Sequence, residues 1–233
     1  MDTEIARFNM IEQQIRPWEV LDQSVLSLLS TVRREDFVPP ALRALAFVDT
    51  QVPLISTAQA RGAHDAAAAG ACMLEPKVEA RLLQELQIQR HERVLEIGTG
   101  SGFMAALLAH RAQQVYTLEC RPELARSARE SLRRNGVLNA TVIDVSPAVG
   151  AQGLPAEGPF DAILLSGSVA EVPKALLEQL KAGGRLAAVV GDEPVMRARL
   201  ITRAGPAAWS ETDLFDTVAP RLEGFAEPTR FHF

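Results

Sequence analysis

Cysteine is almost absent from this 233-residue sequence. Its two cysteines, Cys72 and Cys120, show neither metal-ligand spacing nor a disulfide framework. Histidine is scarce too: of the four, His91, His110 and His232 show no ligand spacing, so no metal is expected. Basic charge is short too, with 24 Lys and Arg against 29 Asp and Glu, and the net charge of −5 argues against a general nucleic-acid binder. No apolar run approaches the length needed to span a membrane. The opening Met1-Asp2-Thr3-Glu4 is acidic with no apolar stretch behind it, so a secretory signal is not expected and a cytoplasmic location is. What is present suits an enzyme-sized globule: 47% hydrophobic residues supply a sizeable core, and the length fits one large domain or a core domain with an appendage.

The chain is organised around Val94-Leu95-Glu96-Ile97-Gly98-Thr99-Gly100-Ser101-Gly102-Phe103. An apolar run carrying one acid leads into three glycines on alternate positions, and a second apolar run resumes at Phe103. That pattern predicts a buried strand, a tight turn and a helix packed back on the strand. Glycines let a ligand lie against the main chain, and the helix start offers it free N–H groups. The Walker pattern is excluded because Phe103 follows Gly102 where Lys-Ser/Thr would be needed, and the dinucleotide fingerprint spaces its last glycine differently. A glycine turn also serves any tight strand-to-helix connection. About 20 residues on, however, Val115-Tyr116-Thr117-Leu118 ends in Glu119, where an acid at a strand tip would hold a ribose.

Residues 5–32 predict two helices, the second with Asp22 as N-cap and Val25, Leu26, Leu29 and Val32 at helical spacing. Pro39-Pro40 stops this part, Ala41–Phe47 adds a short helical piece, and residues 48–56 read as extended. Residues 57–72 are alanine-rich and broken by Gly62 and Gly70, which predicts a mobile loop. Within it His64-Asp65 reads as a solvated pair, with a base for some other acceptor as the alternative. Pro76 then opens a helix with Val78, Leu82, Leu83 and Leu86 inward.

From residue 93 strands and helices alternate. The expected strands are Arg93–Ile97, Val115–Leu118, Ala140–Val145, Phe160–Leu165 and Gly184–Val190; the helices are Ser101–Arg111, Pro122–Asn135 and Pro173–Lys181. Such alternation predicts a doubly wound, mainly parallel α/β sheet that binds ligands at the carboxyl ends of its strands. Residues 195–203 alternate apolar residues with Arg197, Arg199 and Arg203, a half-buried strand with a solvated arginine edge, or alternatively an anion-binding stripe. Leu214–Val218 and Thr229–Phe233 are further strand candidates, suggesting a C-terminal antiparallel hairpin.

The Glu-x-Gly-x-Gly-x-Gly turn resembles motif I of the class I S-adenosylmethionine-dependent methyltransferases. Further segments resemble one family, the protein-L-isoaspartate O-methyltransferases, over most of the chain: Met10-Ile11-Glu12-Gln13-Gln14-Ile15, Val32-Arg33-Arg34-Glu35-Asp36-Phe37-Val38-Pro39, Pro159-Phe160-Asp161-Ala162-Ile163, and Val172-Pro173 with Gln179 through Leu186. The resemblance implies a seven-stranded Rossmann-like core over 77–233, an N-terminal helical extension and substrate-side loop over 1–76, and methyl transfer from S-adenosylmethionine, leaving S-adenosylhomocysteine, to a carboxylate in protein repair. One segment departs. Gly70-Ala71-Cys72-Met73-Leu74-Glu75-Pro76 falls on the family's Gly-x-Thr-Ile-Ser-x-Pro, with Cys72 at the threonine position and Leu74 at the serine position. A leucine donates no hydrogen bond to a carboxylate.

The resemblance also implies a donor site. Gly98, Thr99, Gly100, Ser101 and Gly102 bring backbone to the methionine part. Glu96 either serves the ammonium group indirectly or caps the turn. Glu119 with Cys120 receives the ribose, or is a plain surface acid, and Asp144 with Val145 meets the adenine. On the acceptor side stand Cys72, Met73 and Leu74, with Ser166 and Ser168 after the fourth core strand. No catalytic acid or base is assigned, since a carboxylate nucleophile is already ionised near neutral pH. The acceptor is a protein, peptide or small-molecule carboxylate; nucleic acid and membrane are not expected partners. Three readings follow: an isoaspartyl methyltransferase, a methyltransferase of the same family with another acceptor, or a non-catalytic donor-binding module.

Overall fold

Two aspartates start the helical extension. Asp2 accepts from the Glu4 N–H at 3.0 Å and Asp22 from the Ser24 N–H at 2.8 Å, each satisfying a helix donor that has no intrahelical partner. The structure is a computed structural model and describes residues 2–55 and 71–227. Helix Thr3–Met10 runs on through a π-turn over Ile11–Ile15 and a 3-10 turn over Arg16–Trp18, and helix Gln23–Thr31 follows, as expected. Pro40–Phe47 is the short helical piece, in 3-10 form. Strand β1 (Val52–Pro53) pairs antiparallel with β2 (Cys72–Met73). The loop expectation over 57–72 therefore ends early, because Ala71 is buried and Cys72 and Met73 are in a strand; most of that segment, with His64-Asp65, lies outside the described residues. Helix Pro76–Leu86 buries Val78, Leu82, Leu83 and Leu86 and stops at Gln87, which takes a left-handed φ of 45°.

The second sheet contains β3 (Arg93–Ile97), β4 (Gln114–Glu119), β5 (Ala140–Asp144), β6 (Phe160–Val169), β7 (Leu180–Asp192), β8 (Val195–Gly205) and β9 (Ala208–Asp216). Their spatial order is β5-β4-β3-β6-β7-β8-β9, parallel from β5 to β7 and antiparallel across β7–β8 and β8–β9. The expected doubly wound sheet with a C-terminal antiparallel hairpin is present. The chain runs outward from β3 to β5, then returns to lay β6 on the other side of β3, so the switch point lies between β3 and β6. Side chains alternate across the sheet: Val94, Ala162, Leu164 and Ala187 join one apolar cluster with the N-terminal extension, while Leu95, Ile163, Leu165 and Leu186 join the other.

Several boundaries differ from the sequence reading. The helix expected from Ser101 starts at Phe103, since Gly102 is left-handed at φ +85°. The helix expected over Pro173–Lys181 shrinks to Lys174–Leu177, because Leu180 pairs with Phe160 and both are fully buried. The last strand begins at Ala208, six residues before Leu214, drawn into pairing by cross-strand ion pairs from Arg197 to Asp213 and Asp216 and from Arg199 to Glu211 and Asp213. Those pairs take up two of the arginines of the edge stripe, and Arg203 donates to the backbone carbonyls of Glu178, Leu180, Gly205 and Pro206. Thr229–Phe233 lies outside the described residues. No helix among the described residues is long and apolar enough to cross a membrane.

Candidate active site

The carboxyl ends of β3 and β6 flank a crevice, and the glycine turn forms one of its sides. Gly98, Gly100 and Gly102 all have positive φ, at +96°, +52° and +85°. The Gly98 and Thr99 N–H groups donate to the Leu118 carbonyl at 2.9 and 3.2 Å, tying the turn to β4. Gly102 and Gly98 do different work. A Cβ on Gly102 would stand 3.3 Å from the Ala128 Cβ, so this glycine lets helix Pro122–Arg134 approach. A Cβ on Gly98 would stand 2.8 Å from the Leu222 Cδ2 and 3.5 Å from the Ser166 carbonyl, so this glycine makes room for Leu222 against the turn.

Two acids enter the site at adjacent strand ends. Glu96 is completely buried, and its two oxygens accept from the Thr117 and Ser166 hydroxyls, both at 2.7 Å. Thr117 is in turn 2.6 Å from the Thr99 hydroxyl. Burial pushes the Glu96 carboxyl up to about 8, against the pull of the two hydroxyls. Glu119 accepts from the Gly100 N–H at 2.8 Å and the Arg121 N–H at 3.0 Å; burial raises its carboxyl while those backbone donors lower it. The third acid stays out. Asp144 is exposed and pairs with Arg129 at 3.0 Å, and it is Val145 that lines the crevice beside Glu119, Cys120 and Leu124.

Opposite the turn, Cys72, Met73 and Leu74 form an inner recess with Leu82, Met104 and Ser166. Met73 and Leu74 are buried, and the Cys72 thiol donates to the Gln51 side-chain oxygen at 3.6 Å. Burial lifts Cys72 to about 12 and Cys120 to about 11, so neither thiol is a nucleophile near neutral pH. Ser166 borders both the crevice and the recess. Ser168 does not. It is fully buried and its hydroxyl donates to the Ala219 carbonyl at 2.7 Å, a strand residue turned to structural use.

Sequence reasoning missed two features. Arg34 is buried under the recess, pairs with Glu79 and donates to the Leu74 carbonyl at 2.8 Å. The Arg-Glu-x-Phe-Val-Pro segment thus braces the Cys72–Leu74 recess; its Glu35 pairs with Arg7 and its Phe37 meets Phe103 edge-on at 5.6 Å. The second feature is the segment 219–224, which crosses the crevice. The Ser168 N–H holds the Pro220 carbonyl, Arg221 pairs with Asp192, and Glu223 pairs with Arg121. Leu222 reaches the turn. Gly224, with φ +85°, was the available signal: a Cβ there would stand 2.1 Å from the Pro147 carbonyl oxygen. Among the described residues no group of three or more His, Cys, Asp or Glu is placed to hold a metal ion.

A glycine turn at the switch point of this sheet, with acids at the ends of two neighbouring strands, is the architecture of the class I methyltransferases. The chain belongs to the protein-L-isoaspartate(D-aspartate) O-methyltransferase family, whose model matches residues 6–216. It is accordingly an S-adenosylmethionine-dependent O-methyltransferase by descent. A protein-L-isoaspartate O-methyltransferase of Methanoculleus marisnigri is 38% identical over 200 residues, covering 85% of this chain and 84% of the relative. One from Myxococcus xanthus is 41% identical over 172 residues, 74% of each chain. Among solved structures, a Plasmodium falciparum chain described as a protein-L-isoaspartate O-methyltransferase in complex with S-adenosyl-L-homocysteine superposes with a TM-score of 0.74 at 21% identity, covering 94% of this chain and 98% of that one. At that identity the likeness establishes the fold.

Proposed function

We propose that this chain transfers the methyl group of S-adenosylmethionine to the carboxylate of isoaspartyl residues in damaged protein. The observation that carries the reading is the glycine turn at the switch point of the sheet, with Glu119 lining the crevice beside Gly98 and Gly100 and Glu96 in the recess beneath them. The residues fit the donor chemically. Glu96 lies at the inner end, for the cationic methionine part. Glu119 keeps acceptor capacity for ribose hydroxyls beyond the two backbone donors it already holds. Ile97, Leu118, Leu124 and Val145 offer apolar surface for the adenine ring.

The donor supplies a methyl group on a positively charged sulfur. Everything else asked of the protein is placement. The acceptor carboxylate is ionised near neutral pH, so no general base is required, and alignment of acceptor with donor is the main contribution. In this reading Cys72, Met73, Leu74 and Ser166 shape the acceptor end, the strap 219–224 excludes water, and the product is a methyl ester on protein. Labelled donor incubated with an isoaspartyl peptide tests it: the expected result is base-labile label on the peptide, and no transfer above a heat-killed control defeats the proposal.

A second reading keeps the donor and changes the acceptor. It is favoured by Leu74, buried and apolar where the resemblance implies a hydroxyl. A site relying on that hydroxyl loses about 1–3 kcal/mol without it. Leu74→Ser separates the two: about tenfold or more gain in isoaspartyl transfer supports the first reading, and no gain together with donor binding supports the second.

A further inference from the structure

Glu96 sits in an unusual setting for an acid that must meet a cation. It is fully buried, and among the described residues no ammonium or guanidinium pairs with it. Its oxygens touch only hydroxyls, Thr117 from β4 and Ser166 from β6. The titratable groups facing it are themselves acids: Glu79 from helix Pro76–Leu86, which is paired with Arg34, and Glu119 at the end of β4. Cys72, on the far side of the recess, holds its proton near neutral pH.

We propose that Glu96 is neutral in the empty site and releases its proton to solvent when the cationic donor enters, with Thr117 and Thr99 acting as a reversible hydroxyl chain that accommodates both states. This rests on the reading that the donor binds at the glycine turn. With the proton on Glu96, its O–H donates to the Thr117 oxygen and the Thr117 hydrogen turns to Thr99, over heavy-atom separations of 2.7 and 2.6 Å. With the proton gone, Thr117 donates to the carboxylate and Thr99 donates to Thr117. No heavy atom has to move, because a hydroxyl both gives and accepts. Thr99 belongs to the turn, so the protonation state of a buried acid is passed to the loop that holds the ligand. Thr117 is a positioning residue here: it touches Glu96 and Thr99. Burial holds the carboxyl up at about 8, which is consistent with a neutral acid in the free protein.

Calorimetry with S-adenosylhomocysteine, at about pH 6.5 in buffers of different ionisation enthalpy, tests the inference; the ligand's α-amino group is then still charged, with its pKa near 8. The expected result is release of about one proton per ligand bound, and affinity that tightens by up to about tenfold per pH unit below the folded pKa. In Glu96→Gln the release disappears. In Thr117→Val, which removes a hydroxyl that favours the ionised form, the affinity-against-pH curve moves to higher pH, and Thr117→Ser restores it. Heat of binding without proton release overturns the inference and leaves donor binding standing. No heat from the folded protein overturns the donor reading itself. A Thr117→Val curve superimposable on the unmodified protein's removes Thr117 from the chain.

Discussion

Arg34 and Glu79, 45 positions apart in the sequence, form a buried ion pair beneath the Cys72–Leu74 segment, and Arg34 also holds the Leu74 carbonyl at 2.8 Å. The guanidinium lies 5.2 Å from the centre of the Phe103 ring, at the start of the helix that follows the glycine turn. One side chain therefore joins the Cys72–Leu74 recess to the helix that follows the glycine turn.

Breaking this pair from one side leaves a buried charge without its partner. Glu79→Ala is expected to destabilise the protein by about 3–5 kcal/mol, whereas the double change Arg34→Met, Glu79→Leu recovers most of the loss. Urea unfolding of the three proteins measures it. A double variant no more stable than Glu79→Ala contradicts the assignment of the cost to the orphaned guanidinium.

Gly98→Ala is expected to weaken donor binding by about tenfold or more. The left-handed backbone costs roughly 1–2 kcal/mol for a residue with a side chain, and the new methyl would stand 2.8 Å from Leu222. Gly136 is the control. Its φ is +70° with nothing within 4 Å, so Gly136→Ala lowers the melting temperature and leaves donor affinity unchanged. Calorimetry and thermal unfolding on both variants distinguish crevice from backbone.

Glu119 and Asp144 lie directly opposite each other across β4 and β5, yet only Glu119 faces the crevice. Glu119→Gln removes charge from hydrogen bonds worth about 1.5–3 kcal/mol each, so donor affinity falls about tenfold to a hundredfold. Asp144→Asn affects only a surface pair with Arg129 and leaves affinity within about twofold. Equal losses in the two variants would place adenine recognition on Asp144 after all.

The buried acids also set how stability depends on pH. Glu96 has its folded pKa raised to about 8, so folding favours its neutral form. That contribution is fully present below the unfolded value of about 4.3 and is lost as pH rises through the folded one. Glu79, raised by burial to about 7, acts in the same direction. The ligand-free protein should therefore lose stability from about pH 5 to pH 8, and Glu96→Gln should flatten that slope. Denaturant midpoints across this range give the answer; a slope of the same size in the variant removes Glu96 as its source.

The glycine-turn side of the crevice was legible because its information is local. Val94 to Ile97, the glycines and Glu119 are read from hydrophobic periodicity and residue spacing, and a strand leading into a glycine turn fixes its own backbone. β3 has the expected bounds, Glu96 on β3 lines the inner recess, and Glu119 at the end of the neighbouring β4 lines the crevice. The last strand was less legible, because Glu211 and Asp213 ahead of Leu214 are held by ion pairs with Arg199 of β8 and not by apolar alternation. Ser168 and Asp144 carried the right chemistry at the right strand ends. Which way each side chain turns was settled by distant partners, Ala219 for one and Arg129 for the other.

Strand-helix alternation, the glycine turn and the acids at strand ends could be read from the chain alone, since each strand, turn and helix is specified by residues within a few positions of one another. What closes the site emerged from packing between remote segments. Arg34 under Leu74, Leu222 over Gly98 and the Thr99–Thr117–Glu96 chain each join segments far apart in sequence. Such contacts leave no period or spacing to read, because they are selected by packing once the sheet has brought the strand ends together.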